Sequence, residues 1–208
     1  YRSLDHGLTW DLIGSDKGIR RSHIASLGFD PVDAQIFHLG TDVGLYHTGN
    51  GGASLVRVID NGYLGAVAHA WTNPAVVYAA RAPSFDTLTT AIYRSNDHGL
   101  TWAPVSVGFP TGLRVLKLAV SPQDSNTVYL VSGQDLFVNG IEAVYRSTDG
   151  GITWSRIGEL LGKIWDLAID PGTPGTLYVT GYVGTFGDIW SGSTYKSLDH
   201  GDTWTVLA

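Results

Sequence analysis

An eight-residue box, Ser95-Asn96-Asp97-His98-Gly99-Leu100-Thr101-Trp102, recurs along this chain. Three further intact copies begin at Ser3, Ser147 and Ser197, and a degenerate copy begins at Thr48. Successive copies start 45 to 52 residues apart. Internal repeats of this length are typical of solenoids, propellers and other arrays, so the box determines the architecture to be considered first.

The box has the chemistry of a tight turn. A Ser and an Asp two residues apart can direct their side-chain oxygens onto nearby backbone N–H groups. The glycine at the fifth position suits a backbone with positive φ, and Thr-Trp then starts an extended segment whose indole can pack on a neighbouring unit. A Tyr followed by Arg, Lys or His precedes every copy. We interpret these box residues as structural: Ser3, Asp5, Gly7, Trp10, Ser95, Asp97, Gly99, Trp102, Ser147, Asp149, Gly151, Trp154, Ser197, Asp199, Gly201 and Trp204.

Each repeat also contains two apolar runs separated by a proline turn, such as Val115–Val120 and Val128–Val131 on either side of Pro122. Together with the strands flanking the box, this gives four short strands per repeat, and no stretch of ten or more residues has helical periodicity. Radial blades of four strands protect sheet edges. The sequence therefore predicts an all-β fold, a β-propeller of four-stranded antiparallel blades with the box as a hairpin turn.

The repeat boundaries predict about 4.5 to 5 blades in a single domain, 1–208, or in part of one. The approximate repeats are 1–14 (partial), 15–62, 63–108, 109–158 and 159–208. A half blade would leave a strand edge unpaired, which proteins generally avoid. We therefore expect the chain to be part of a larger propeller, and the alternative is a five-bladed ring with one reduced blade.

Composition excludes several classes of protein. A hydrophobic content of 43% excludes disorder, and a formal charge of −6 without any Lys/Arg run argues against a nucleic-acid partner. No apolar run is long enough to span a membrane. Cysteine is absent, the seven histidines have no zinc-site spacing, and no Asp cluster matches a calcium loop. We expect neither a metal nor a cofactor.

Four copies of Ser-x-Asp-x-Gly-x-Thr-Trp in phase make this chain resemble the Asp-box proteins, also called bacterial neuraminidase repeat (BNR) proteins. The resemblance implies a propeller in which the box lies at the outer rim, between the third and fourth strands of a blade. It also implies that the box carboxylates are structural and are not catalytic acids. Three histidines at the variable fourth position of the box, His6, His98 and His200, are expected to face solvent.

In repeat style the chain resembles xyloglucanase-type glycoside hydrolase propellers and photosystem II assembly-factor-like propellers. A complete sialidase is not expected, because the chain lacks the Arg-Ile-Pro motif and has only two Glu, Glu142 and Glu159. The segment Thr41-Asp42-Val43-Gly44 is similar to a Thr-Asp-Val-Gly-Gly segment that carries a catalytic Asp in xyloglucanases, but it lacks the second Gly. The Arg-rich patch of the assembly factors is also missing, since the arginines are dispersed except for Arg20-Arg21.

The loops between second and third strands and between blades open opposite the box turns, where propeller pockets form. These loops are rich in aromatic residues, which stack on sugar rings, and in carboxylates, which accept hydrogen bonds from hydroxyls. The predicted ligand-binding residues are Tyr63, Phe85, Asp135, Phe137, Trp165, Phe186, Asp188 and Trp190. A glycosidase would need two carboxylates roughly 5 to 10 Å apart, and Asp42 with Asp135 or Asp188 is the candidate pair.

The sequence therefore predicts a non-catalytic recognition or structural propeller of an exported protein, which binds a glycan or protein partner through aromatic-rich loops. The alternative is a fragment of a xyloglucanase- or endoglucanase-type glycoside hydrolase that uses Asp42 as a catalytic carboxylate. The resemblance implies an extracytoplasmic location: secreted, periplasmic or at the cell surface.

Overall fold

The computed structural model describes residues 1–13, 19, 22–60, 62–82, 90–106, 109, 112–133, 142–158, 163–173, 175–183 and 191–207. These residues form sixteen strands and no α-helix. The strands are β1 (Ile24–Phe29), β2 (Phe37–Thr41), β3 (Gly44–Thr48), β4 (Val56–Asp60), β5 (Leu64–His69), β6 (Val77–Arg81), β7 (Ala91–Ser95), β8 (Ala103–Pro104), β9 (Arg114–Val120), β10 (Val128–Gly133), β11 (Ala143–Ser147), β12 (Ser155–Ile157), β13 (Lys163–Ile169), β14 (Leu177–Val183), β15 (Ser191–Ser197) and β16 (Thr205–Leu207).

Every four consecutive strands form one antiparallel sheet in chain order: β1–β4, β5–β8, β9–β12 and β13–β16. We call these the first to fourth sheets. The first strands of neighbouring sheets contact one another, β1 with β5, β5 with β9 and β9 with β13, so they are the innermost strands. The prediction of a β-propeller with four-stranded antiparallel blades is confirmed.

The box forms the turn between the third and fourth strands of each sheet. In the second sheet, the Ser95 hydroxyl donates to Asp97 Oδ1 at 2.7 Å and accepts the Gly99 N–H at 2.9 Å. Asp97 in turn accepts the Thr101 N–H at 2.9 Å and the Thr101 hydroxyl at 2.5 Å. The same four contacts recur in the boxes that begin at Ser3, Ser147 and Ser197.

The degenerate copy keeps this hydrogen-bond frame with different side chains. Thr48 donates to Asn50 Oδ1 at 2.9 Å and accepts the Gly52 N–H at 3.0 Å. Asn50 Oδ1 also accepts the Ser54 N–H at 2.8 Å, while its amide donates to the Ser54 hydroxyl. An amide oxygen therefore replaces the carboxylate without changing the turn.

The turn requires positive φ at two consecutive positions, although the sequence pointed only to the fifth. The fifth-position glycine has φ between 81° and 93° in the four intact copies. The fourth position is His in three of them, with φ between 58° and 60°. A left-handed backbone is uncommon for a residue with a Cβ.

Apolar side chains fill the seams between consecutive sheets. In the first seam, between the first and second sheets, Leu45 and Ile59 pack with Leu64 and Ala79. The second and third seams have corresponding clusters, and the box tryptophans Trp102, Trp154 and Trp204 pack against the clusters of the first, second and third seams. Because a single sheet cannot bury its own faces, stacking supplies most of the core.

The box at the N-terminus forms a small hairpin beside the first sheet, closed by a bridge between Arg2 and Asp11. The Arg2 guanidinium donates to the carbonyl oxygen of Gly51 in the box of the first sheet. A hollow of about 410 Å³ separates this hairpin from the first sheet, and apolar residues such as Leu4, Ile13 and Phe37 form most of its lining. Because the described lining is mostly apolar, we interpret this hollow as loose packing.

Candidate functional site

The turns between second and third strands lie at the end of each sheet opposite the box, together with the beginnings of the first strands. We call this the loop end. The predicted site residues Asp42, Tyr63 and Trp165 are all located here.

Asp42 lies in the short turn between β2 and β3 and is exposed to solvent. Thr41 holds this turn, since its hydroxyl donates to the Gly44 carbonyl at 2.8 Å and accepts the Val43 N–H at 3.2 Å. Asp42 Oδ1 accepts the His23 N–H at 3.1 Å, and the Asp42 N–H donates to the His23 carbonyl at 3.1 Å. The carboxylate is therefore held in position but open to a ligand.

A row of side chains crosses from this turn to the third sheet. The His23 ring stacks on Tyr63 with centroids 6.2 Å apart and planes 17° apart. The Arg114 guanidinium lies 5.1 Å from the Tyr63 ring centroid and donates to the Tyr63 hydroxyl at 3.1 Å. His23 and Arg114 thus both contact the ring of Tyr63, which holds the two side chains in position. The ring is therefore poorly placed to stack on a sugar.

Trp165 lies near the beginning of β13, at a bulge in the pairing with β14, and is 55% exposed. It borders an open hollow of about 490 Å³, lined otherwise by Thr180, Gly181, Gly192, Ser193 and Thr194. Among the described residues, the lining of the hollow thus combines one exposed indole with three hydroxyl groups, and none of these residues is charged.

The hydroxyls replace residues that are aliphatic or glycine in the other sheets. Thr180 and Thr194 are cross-strand partners on the outward face of the fourth sheet. The equivalent pairs, all buried, are Gly40–Leu45, Ala80–Ile92 and Val131–Val144. The outward face of the fourth sheet is therefore polar where the other sheets have a packing surface.

Six predicted ligand-binding residues lie outside the described residues: Phe85, Asp135, Phe137, Phe186, Asp188 and Trp190. A glycosidase mechanism depends on the distance from Asp42 to Asp135 or Asp188. A suitable distance between these carboxylates therefore remains a prediction. Within the described ranges, no group of three or more His, Asp or Glu side chains is arranged to hold a metal ion.

The box carboxylates lie at the opposite end of the sheets and are occupied by the turn. Hydrogen bonds from the hydroxyls of the box Thr and Ser, with the Thr N–H, lower the pKa of Asp5, Asp97, Asp149 and Asp199 to about 2. A carboxylate with so low a pKa is a poor proton donor near neutral pH. The box geometry is therefore unsuited to acid catalysis.

Sequence reasoning missed a group of histidines at the first seam. His38, His47 and His69 are buried side by side, and only the strand register brings them together. The box histidine His98 is 44% exposed in its side chain, and in addition its Nδ1 lies 3.1 Å from the buried Asp30 carboxylate. The box turn contacts the preceding sheet here, which places the fourth residue at the edge of the seam.

Comparison with known proteins supports the repeat and the fold. Residues 145–156 match the model of the BNR/Asp-box repeat. The chain is 28% identical over 219 residues to a xyloglucanase of Hypocrea jecorina, covering 86% of this chain and 25% of that protein. It is 31% identical over 143 residues to xyloglucanase Xgh74A of Acetivibrio thermocellus, covering 56% of this chain and 16% of that protein. The chain thus spans a quarter or less of the length of these relatives.

Among solved structures, the GH74 xyloglucanase from Xanthomonas campestris superposes with a TM-score of 0.68 at 21% identity, covering 91% of this chain and 30% of that one. YCF48 bound to D1 peptide superposes with a TM-score of 0.52 at 14% identity, covering 89% of this chain and 82% of that one. Both similarities concern the fold alone. The chain therefore carries Asp-box repeats on a β-propeller, the fold that it shares with xyloglucanases and YCF48.

Proposed function

We propose that this propeller binds a neutral glycan at its loop end without cleaving it, with Trp165 as the principal contact. The observation that carries the proposal is the hollow in which an exposed indole stands beside Thr180, Ser193 and Thr194. Thr180 and Thr194 place hydroxyls, which can bond to a sugar, at the position of an apolar pair or glycine in the other sheets.

A sugar ring presents a C–H face and a rim of hydroxyls. An exposed tryptophan covers the first with apolar area, and Ser and Thr hydroxyls, which both donate and accept, match the second. None of the described residues that line the hollow is acidic or basic, and these residues suit an uncharged sugar better than a sialic or uronic acid. The similarity to proteins named xyloglucanases supports a xyloglucan-like β-glucan as the ligand class.

The row at the loop end supplies the polar groups for a longer ligand. Asp42 is an exposed hydrogen-bond acceptor, His23 is exposed beside it, and Arg114 is half-buried against Tyr63. These groups lie at the beginnings of first strands or in a second-to-third turn, so they share the end of the propeller with Trp165.

The test is calorimetric titration of the chain with a soluble xyloglucan oligosaccharide. Trp165→Ala is expected to weaken binding about tenfold or more, since it removes the stacking surface. Trp71→Ala is the matched control, because Trp71 is also exposed, at 64%, but lies beside the turn between the first and second strands at the box end. Equal affinity of the Trp165→Ala variant and the wild type would contradict the proposal.

A second variant tests the hydroxyls separately from the indole. Replacing Thr180 and Thr194 by Val restores the pair found at Val131 and Val144, with little change in shape. We expect severalfold weaker binding with unchanged thermal stability. Unchanged binding would remove the hydroxyls from the site.

The alternative function is glycoside hydrolysis with Asp42 as a catalytic carboxylate. It is favoured by the exposed, fixed position of Asp42 at the loop end and by the names of the relatives. Release of reducing ends from xyloglucan distinguishes the two functions. In the binding function neither the wild type nor Asp42→Ala releases any.

Hydrolysis by the wild type that Asp42→Ala abolishes would establish the alternative. Asp60→Ala is the control, because Asp60 is also an exposed carboxylate and its ion pair with Arg57, at 2.7 Å, belongs to the first sheet alone. Its activity should match the wild type.

An exported location accompanies the proposal, because a polymeric glycan is encountered outside the cytoplasm. No helix that could cross a membrane occurs in the described part of the chain. A protein partner, of the kind that the YCF48–D1 peptide structure shows for YCF48, is the outcome to pursue if no glycan binds.

A further inference from the structure

Three histidines that play no part in the glycan site are buried in the first seam. His38 lies in β2, His47 lies opposite it in β3, and His69 ends β5 in the second sheet. None of the three is more than 9% exposed. Burying a polar ring is costly unless hydrogen bonds replace water, so their mutual contacts are structurally important.

The rings form a continuous hydrogen-bonded chain. His69 Nε2 lies 3.0 Å from His38 Nδ1, and His38 Nε2 lies 3.0 Å from His47 Nδ1. The remaining nitrogen of His69, Nδ1, is buried.

The hydrogen bonds between the three rings can form when all of the rings are neutral and when one proton is added. A neutral imidazole has one N–H and one acceptor nitrogen, so three neutral rings satisfy both contacts. A single proton on His38 makes both of its nitrogens donors and uses the acceptors of both neighbours. A second proton on any ring places two N–H groups face to face.

The charged and titratable groups facing this chain come from both sheets. From the first sheet, Asp30 attracts protons to His38 and His69; from the box of the second sheet, Asp97 attracts them to His47. His98, paired with Asp30 at 3.1 Å, opposes protonation of His47 and His69.

Burial has a larger effect on the pKa values of the three histidines than these charges have. Burial lowers the pKa of His38 to about 3, with its histidine neighbours contributing, and burial lowers the pKa of His69 to about 4. Burial also lowers the pKa of His47. Asp30 keeps its charge because hydrogen bonds from the Val32 N–H, His98 and the Asp33 N–H lower its pKa, although burial alone would raise it.

The other sheets have a different pair at the positions of His38 and His47. The equivalents are Tyr78–Arg94, Tyr129–Arg146 and Tyr178–Lys196. The cation lies 5.7 Å from the Tyr78 ring centroid in the second sheet and 5.4 Å from the Tyr178 centroid in the fourth. At the position of His69 the third and fourth sheets have Val120 and Ile169. Among the three described seams, the first therefore has imidazole rings at the positions where the second and third have Tyr, Arg and aliphatic residues.

We propose that the first seam is an acid-sensitive joint: on acidification, protons enter the chain of His38, His47 and His69 and the first sheet separates from the second, while the second and third seams stay packed.

The direction follows from proton linkage. An unfolded histidine titrates near pH 6.5, whereas the seam holds these rings neutral to lower pH, so the opened state binds more protons. The seam is therefore fully stable above about pH 6.5 and loses stability as the pH falls from there through about 4 for His69 and about 3 for His38.

The decisive variant, His38→Tyr with His47→Arg and His69→Val, gives the first seam the side chains of the other two. Thermal unfolding is measured at pH 7.5 and pH 5.0, with hydrogen exchange at both pH values corrected for intrinsic rates. The wild-type midpoint is expected to fall by about 5 °C or more on acidification, and the triple variant by less than half as much. His6→Ala, which removes an exposed box histidine, should behave as the wild type.

Exchange identifies the seam that opens. We expect β2 and β5 of the wild type to lose protection at pH 5.0 while β10 and β14 keep it, and the triple variant to keep protection throughout. Uniform loss across all sheets, or an equal fall in midpoint in the triple variant, would overturn the proposal.

A histidine titration by NMR decides the question if the triple variant does not fold. In the wild type, three of the seven imidazoles should stay neutral until the seam opens in one cooperative step below pH 6. Independent titration of all seven near pH 6.5, with no change in the amide spectrum of β2 and β5, would disprove the joint.

Discussion

A single carboxylate holds each intact box turn together at the scale of one residue. Asp97 accepts the Ser95 hydroxyl, the Thr101 hydroxyl and the Thr101 N–H, so one side chain joins both sides of the turn. Asn50 shows that an amide oxygen can keep the same frame in this chain. The frame of the turn therefore does not require a charged acceptor.

Asp97→Ala is expected to lower the free energy of unfolding by roughly 2 kcal/mol, because the Thr101 donors lose their acceptor. Asp97→Asn should cost clearly less, since the Oδ1 acceptor remains as in Asn50. Urea denaturation at neutral pH measures both. Equal costs for the two variants would mean that charge, and not acceptor geometry, holds the turn.

At the scale of elements, the box turn is also the contact between neighbouring blades. Arg146, which precedes one box, donates to the carbonyl of His200 in the next box at 2.9 Å, and Arg2 makes the same contact to Gly51. The fifth-position glycine lies against the preceding sheet: a Cβ on Gly99 would stand 1.9 Å from His38 Nε2. The turn needs glycine there for packing as well as for φ.

Gly99→Ala separates these two requirements when it is compared with Gly7→Ala. Both glycines have positive φ, 81° and 90°, but the nearest neighbour of a Cβ on Gly7 is Trp10 at 3.8 Å, an ordinary contact. We expect Gly7→Ala to cost about 1–2 kcal/mol for the backbone alone, and Gly99→Ala about 1–3 kcal/mol more for the clash with His38.

Urea denaturation measures both alanine variants. Equal destabilisation by Gly99→Ala and Gly7→Ala would show that the first seam yields to the added methyl group and that φ alone selects glycine.

At the scale of the whole molecule, the four sheets repeat one design, but the side chains that fill the seams between them differ. The second and third seams are closed by aliphatic residues with Tyr and Arg, and the first by hydrogen-bonded histidines. The outward face of the fourth sheet has Thr180 and Thr194 where the other sheets have buried partners. Because sheets contact only their neighbours, each seam can change its chemistry without altering the fold.

The repeat, the turn and the strand order were readable from the sequence because they depend on local chemistry. The Ser, Asp, Gly and Thr of one box bond to one another within seven residues, so their spacing is enough to predict the hairpin and, by repetition, the propeller. Asp42, Tyr63 and Trp165 were assigned to the loop end for the same reason, since each borders a recognisable strand.

The contacts of those residues depended on the tertiary structure. Tyr63 meets Arg114 from 51 positions away, and His38 meets His69 from 31 positions away, through the packing of separate sheets. Spacing along the chain carries no signal for such pairs, because strand register and blade stacking choose the partners. The sequence alone thus determined the blade and its turns, whereas the seams between blades decided which rings are buried, which hydroxyls are exposed and where protons can enter.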